Sequence, residues 1–259
     1  MSPSHPVLRS ATEDAVLWTA RMGAVTAEAL SLRHQITVAQ ARGRLGRAAA
    51  DGLLTRSRPV TDAPALYAAT PSGLRRVGAA SLGSCRVTAT NAAHLAACAA
   101  VAAAMETRHG DHEVGGEREL RRAEHGHRGP LASARLGRTP DGSSRLHRPD
   151  LILWPKDGVG ARPVAVEVEL TIKSPARLTD ICRAWARCVL VAGVVYCAAP
   201  EVEGPLARAV ARVRAQDRIV MVPLAAAISP WPWRPGRPGD QPSARADRAS
   251  PRCEQTEPR

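Results

Sequence analysis

The chain has 259 residues, with 36 Lys or Arg against 24 Asp or Glu, and its formal net charge of +12 gives an isoelectric point near 10.7. Such an excess of base over acid suits a polyanionic partner such as nucleic acid, and coding bias, which can explain arginine in place of lysine, does not account for it. Six cysteines without a CxxC pair argue against a disulfide framework and a thiolate zinc finger, and the apolar stretch Ala92 to Met105 is shorter than the ~20 residues of a bilayer span.

Taken in chain order, residues 1–10 read as a flexible start with no charged, apolar secretory pattern, so a cytoplasmic protein with no membrane partner is expected. Thr12 is a plausible cap for a helix to about Met22, and Thr26 caps a second helix with Ala27 and Leu30 inward. Thr37 caps a third helix through Ala50, with Val38, Ala41, Leu45 and Ala48 on one face and Gln40, Arg42, Arg44 and Arg47 on others. Gly43 and Gly46 weaken that helix by about 1 kcal/mol each relative to Ala. Two strands, residues 53–58 with Arg56 and Arg58 and residues 65–70, flank a turn, and Thr70-Pro71 restarts a helix.

This run resembles a bacterial winged helix-turn-helix of the broad MarR-like kind, over roughly residues 11–80. The resemblance implies that the third helix enters the major groove of double-stranded DNA with Gln40, Arg42, Arg44 and Arg47, while Arg56 and Arg58 meet phosphates. An ordinary solvated arginine face on a protein-contact module is the alternative.

A small, polar linker over residues 81–90 precedes a second domain over residues 91–228. Asn91 to Arg108 reads as a helix, Glu117 to Arg122 as a short element, and His125 to Arg148 as a mobile loop. A strand led by Asp150 follows. Residues 163–173 alternate, with Val164, Val166, Val168, Leu170 and Ile172 on one face and Glu167, Glu169 and Lys173 on the other. Ser174-Pro175 starts a helix with Leu178, Ile181 and Trp185 inward. Val189 to Cys197 is a buried strand, Pro205 to Ala215 a helix, and Arg218 to Pro223 a last strand. If the alternating strand stays extended, Lys173 lies ~13 Å beyond Glu169. It then serves at the strand-to-helix junction as a DNA phosphate contact or a surface charge.

An Asp heading one strand, Glu-x-Glu on the next, then a helix and a buried strand, resembles the PD-(D/E)XK nuclease superfamily. With the upstream module, the chain resembles the replication-relaxation family of plasmid and mobile-element proteins over roughly residues 11–223. The fold class expected is therefore α+β and α/β in two domains, a winged helix-turn-helix followed by an α/β restriction-endonuclease-like domain, with a disordered tail over residues 229–259. The resemblance implies Asp150 and Glu167 as metal-binding acids, Glu117 as a third acid from the preceding helix, and Glu169 at the catalytic place usually held by lysine. Carboxylate oxygens suit Mg²⁺.

The expected function is a DNA-binding protein of plasmid replication or relaxation type with a Mg²⁺-dependent nicking or cleaving activity. The alternatives are a non-enzymatic regulator or replication factor on an inactive nuclease fold, and a pair of protein-interaction modules. An exposed edge strand whose charges block aggregation is the plain reading of the acids. His109, His112, His125 and His127 read as solvated. Trp231 and Trp233 in the tail suit docking on the domain or on a partner.

Overall fold

The computed structural model describes residues 10–139, 142–156 and 160–229. All of the expected flexible start but Ser10 and all of the expected disordered tail but Ser229, Trp231 and Trp233 included, lie outside them, as do Pro140 and Asp141 of the expected loop. The fold is mixed α+β.

Helix α1 (Ala11–Met22) is capped by Ser10 rather than Thr12, because Ser10 has Glu13 three residues on and the two form a reciprocal capping box. A two-residue strand β1 (Ala24–Val25), too short to show a period in sequence, leads to α2 (Ala27–His34), capped by Thr26. Helix α3 (Val38–Ala50) is closed by a Thr37–Gln40 capping box and buries Ala41, Leu45 and Ala48. Strands β2 (Leu54–Ser57) and β3 (Leu66–Ala69) pair antiparallel, β1 adds to the other edge of β3, and α4 (Pro71–Arg76) follows the Thr70 cap.

A single 3-10 turn (Ala80–Leu82) and an irregular stretch reach α5 (Ala92–Arg108). Strand β4 (His112–Gly116) and α6 (Glu117–His127) come next. The segment expected as a mobile loop holds the end of α6 and a hairpin, β5 (Ala134–Arg138) with β6 (Ser144–His147). Then follow β7 (Leu151–Pro155), β8 (Val164–Glu169), α7 (Pro175–Ala186), β9 (Gly193–Ala198), α8 (Pro200–Val213), β10 (Ile219–Pro223) and α9 (Leu224–Ile228).

The five-stranded sheet runs β10-β9-β8-β7-β4. Strands β8, β9 and β10 are parallel, and β7 is antiparallel to both neighbours. Helices α7 and α8 cover one face through Leu178, Ile181, Trp185, Leu206 and Val210, which pack with Ala165, Ile152 and Tyr196. Helix α5 covers the other.

Three element boundaries differ from the sequence reading. Strand β8 stops at Glu169, so Ile172 is 59% exposed instead of lining the core. Strand β9 starts at Gly193, and Val189, expected inside it, is 73% exposed in the preceding turn. Helix α8 starts at Pro200, with Pro205 inside it, because proline is tolerated near a helix start and is no unique marker of its first residue.

Helix α5 is buried on more than one side and joins the two halves of the chain. It packs on α2 and β1 as well as on β4 and β8. One hydrophobic core consequently runs from Val16, Leu30 and Leu45 through Ala99 and Ala102 to Leu151, Val166 and Val168. Polar contacts reinforce the junction: Trp18 Nε1 donates to Glu106 at 3.0 Å, Arg33 pairs with Glu106 at 2.6 Å, and Arg21 pairs with Glu119 at 2.8 Å and donates to the Val114 carbonyl at 2.8 Å. The sequence boundary at residues 81–90 thus has no counterpart in the core.

Gly73 of α4 lies against Leu53, and a Cβ there would overlap the Leu53 carbonyl oxygen. Gly73→Ala is expected to cost about 1–3 kcal/mol, as overpacking does, and the shared core makes the loss appear in one cooperative unfolding transition. Denaturant unfolding followed by both fluorescence and circular dichroism checks this; two transitions with only one displaced would contradict it.

Candidate functional site

Two polar regions stand out, and they are opposites. One is a cluster of acids on and beside the central strand of the sheet. The other is an exposed basic face on α3 and the β2–β3 hairpin.

Asp150 sits at the entrance to β7. Its Oδ2 accepts the Val168 backbone N–H at 2.8 Å, and its Oδ1 lies 3.0 Å from Nε2 of His94 on α5. Next door, Glu167 and Glu169 project from β8, each 6% exposed. Strand β8 is an inner strand of the sheet, so the reading of these acids as charges on an exposed edge does not hold. A carboxylate out of water must find donors. Glu167 Oε1 accepts from Trp185 Nε1 of α7 at 3.0 Å and lies 2.7 Å from His147 Nε2 at the end of β6. The His147 ring also meets Trp185 edge-on, with centroids 5.7 Å apart.

Glu169 pairs with Lys173. This corrects the extended reading that left Lys173 remote as a phosphate contact: the strand ends at Glu169, the chain turns through residues 170–173, and the ammonium folds back onto the carboxylate. Burial lowers the Lys173 pKa, against the opposing pull of Glu167 and Asp150.

Glu117, the expected third acid, begins α6. Its backbone N–H donates to the Asp150 carbonyl at 2.9 Å, but its carboxylate turns to Arg121 at 2.5 Å. A further buried acid, Glu124 of α6, holds the approach to Asp150: it accepts from Leu131 N at 3.0 Å and from Ser133 Oγ, and pairs with Arg148 at 2.9 Å.

The metal-capable ligand atoms that converge among the described residues belong to His94, Cys98 and Asp150, all within 4.8 Å of one another. Asp150, Glu167 and Glu117 do not form such a set. The Mg²⁺ expected from the acids therefore lacks a converging cage of oxygen donors, and the converging group includes a thiol, a poor partner for a hard ion. Sequence reasoning passed over His94, Cys98, His147 and Glu124. The i, i+4 spacing of His94 and Cys98 in an alanine-rich helix was the visible signal; His147 lay in the stretch read as a loop, Glu124 stood just ahead of it after the short element begun at Glu117, and neither carried one.

On the basic face, Gln40, Arg42 and Arg47 are exposed and Arg44 is half-buried on α3; Arg56 on β2 and Arg58 just beyond it are exposed. Ala39, Gln40, Gly43, Arg44 and Arg47 line a shallow groove. Gly43 and Gly46, costly to the helix, keep this surface low. Arg42 approaches Glu28 at 3.8 Å, whereas Arg44, Arg47, Arg56 and Arg58 form no salt bridge among the described residues. The Gln40 side-chain oxygen accepts the Thr37 N–H at 2.9 Å, so its part in any contact falls to its amide nitrogen.

No protein-family model, characterised protein sequence or solved structure matches the chain at a significant level.

The Glu167–His147 pair predicts a pH dependence. Burial raises the Glu167 pKa above its ordinary value, and Asp150 adds to the rise while His147 opposes it. For His147 burial acts downward, but the charge and hydrogen bond of Glu167 outweigh it and leave the pKa raised. The native state thus holds more protons than the unfolded chain once pH passes the unfolded values of about 4.5 for Glu and 6.5 for His. The pair's contribution is complete below those values and is lost as pH rises through the native ones. In chelator-treated protein, unfolding free energy is expected to fall with pH above about 6.5, and Glu167→Gln to flatten the fall. His34 and His109, whose pKa values burial lowers, act below that window. An equally steep fall in the variant would contradict this assignment.

Proposed function

We propose that the protein binds duplex DNA through a winged helix-turn-helix formed by residues 11–80, and that it acts as a replication-relaxation-type factor whose second domain carries a PD-(D/E)XK-like strand-and-acid arrangement. The observation that carries the reading is the set of arginines, Arg44, Arg47, Arg56 and Arg58, left without carboxylate partners among the described residues on one helix and the hairpin beside it, while the buried acids Glu124, Glu167 and Glu169 are paired internally. A strongly basic protein with exposed arginines that lack carboxylate partners presents a positive field there, the electrostatic requirement for a phosphate backbone. The α1-α2-α3 helices followed by an antiparallel hairpin fit a groove-reading helix with a phosphate-contacting wing.

Hydrolysis is the second role the resemblance suggests. The acids favour gripping over cutting, because Glu167 is held by two donors and Glu169 by Lys173, so neither carboxylate is free to orient an attacking water. Lys173 thereby neutralises a buried acid and is withdrawn from the set of DNA contacts.

Fluorescence anisotropy with a labelled duplex tests the binding. Each phosphate contact steepens the fall of log K with log salt by about one, so Arg56→Ala with Arg58→Ala, the two wing residues, is expected to make the slope shallower by about two, roughly one for each phosphate that is no longer neutralised. An unchanged slope would refute the assignment of this face. Incubation with supercoiled plasmid and Mg²⁺ separates the two roles: binding without nicking is expected, and nicking abolished by Asp150→Ala with Glu167→Ala would make the protein a nuclease.

A further inference from the structure

We infer that His94, Cys98 and Asp150 form a binding site for a divalent d-block cation of the zinc class, with water completing the coordination. The inference does not rest on DNA binding, and it names a different ion and a different donor set from those expected of the acidic strand.

The donors come from two elements. His94 and Cys98 are four residues apart on α5, which places them one turn apart on a single face of the helix. Asp150 meets them from the entrance to β7. His94 Nε2 lies 3.0 Å from Asp150 Oδ1 and 3.4 Å from Cys98 Sγ. In a tetrahedral zinc site with bonds of about 2.0–2.3 Å, adjacent donors stand roughly 3.3–3.7 Å apart. An ion can therefore enter between these atoms with shifts of only a few tenths of an ångström at the two contacts described.

The surroundings suit a ligand set. The other Asp150 oxygen is fixed by the Val168 N–H, and the Glu117 N–H holds the Asp150 carbonyl, the kind of support that orients a coordinating carboxylate. Cys98 is buried, whereas the His94 side chain is 42% exposed, so the three donors are enclosed on the Cys98 side and reach solvent on the His94 side. Structural zinc sites close with a fourth protein ligand; an opening after three is the pattern of a site that keeps a water. Imidazole, thiolate and carboxylate together select zinc, cobalt or iron over Mg²⁺ or Ca²⁺. The competing account is a His94–Asp150 ion pair beside an ordinary core thiol, which needs no ion.

Anaerobic titration of the chelator-stripped full-length protein with Co²⁺ distinguishes the two accounts. One equivalent is expected to bind, with visible absorption of a low-symmetry four-coordinate ion and a thiolate-to-cobalt charge-transfer band, both abolished by adding Zn²⁺. Cys98→Ser removes the charge-transfer band, Cys85→Ser retains it, and His94→Gln weakens Co²⁺ binding about 10-fold or more. Circular dichroism confirms that each variant is folded; if Cys98→Ser fails to fold, alkylation protection of Cys98 by Zn²⁺ in the wild-type protein, read by peptide mass, replaces it. Absence of a charge-transfer band in the wild type, its persistence in Cys98→Ser, or no protection of Cys98 would overturn the site. DNA affinity measured on the same preparations reports on the arginine face separately.

Discussion

The need to satisfy a buried carboxylate organises the second half of this protein. Glu167 sits within the sheet, and burying a charge there is costly unless donors reach it. They arrive from two other elements, Trp185 of α7 and His147 of β6. One oxygen atom thus ties the sheet, the helix on its face and the hairpin beside it. Glu124 does the same for the approach to β7, where it gathers the Leu131 N–H, the Ser133 hydroxyl and Arg148. Replacing either acid leaves buried donors unpaired, so both act as fixing points for the fold.

Charge in this molecule is sorted by depth. The buried acids have nearby cationic or histidine partners, while Arg44 and Arg47 of α3 and Arg56 and Arg58 of the hairpin region have no carboxylate partner among the described residues. With a net charge of +12, this leaves a positive outer surface that includes the exposed face of α3. Weak exposed ion pairs contribute little to stability, so unpaired arginines cost the fold little and remain free for a partner.

Much of the fold was legible because local signals agreed. Thr26, Thr37, Thr70 and Ser174 each cap the helix that their sequence position suggested, and the alternation of Val164 to Glu169 gave β8 its two faces. Elements without a local signal were missed. Strand β1 is two residues long, β4 contains two glycines, and β5 and β6 lie among the glycines and prolines of an apparent loop. The site was half legible for a related reason. Glu167 and Glu169 stand out on an apolar strand, but the partners of Glu167 are about twenty residues distant in either direction, and no periodicity announces that a turn after Glu169 returns Lys173 to it. The sharing of one core through α5 was equally hidden, since an alanine-rich helix does not reveal how many neighbours it has.

The account's central claim is that the α3 face meets duplex DNA. Site-specific photocrosslinking tests it directly, with a photoreactive side chain at Ala39, which lines the arginine groove, or at Val220, which is exposed on edge strand β10. The account predicts a DNA adduct at position 39 that fades with added salt and none at position 220. No adduct at 39, or equal adducts at both positions, would contradict it.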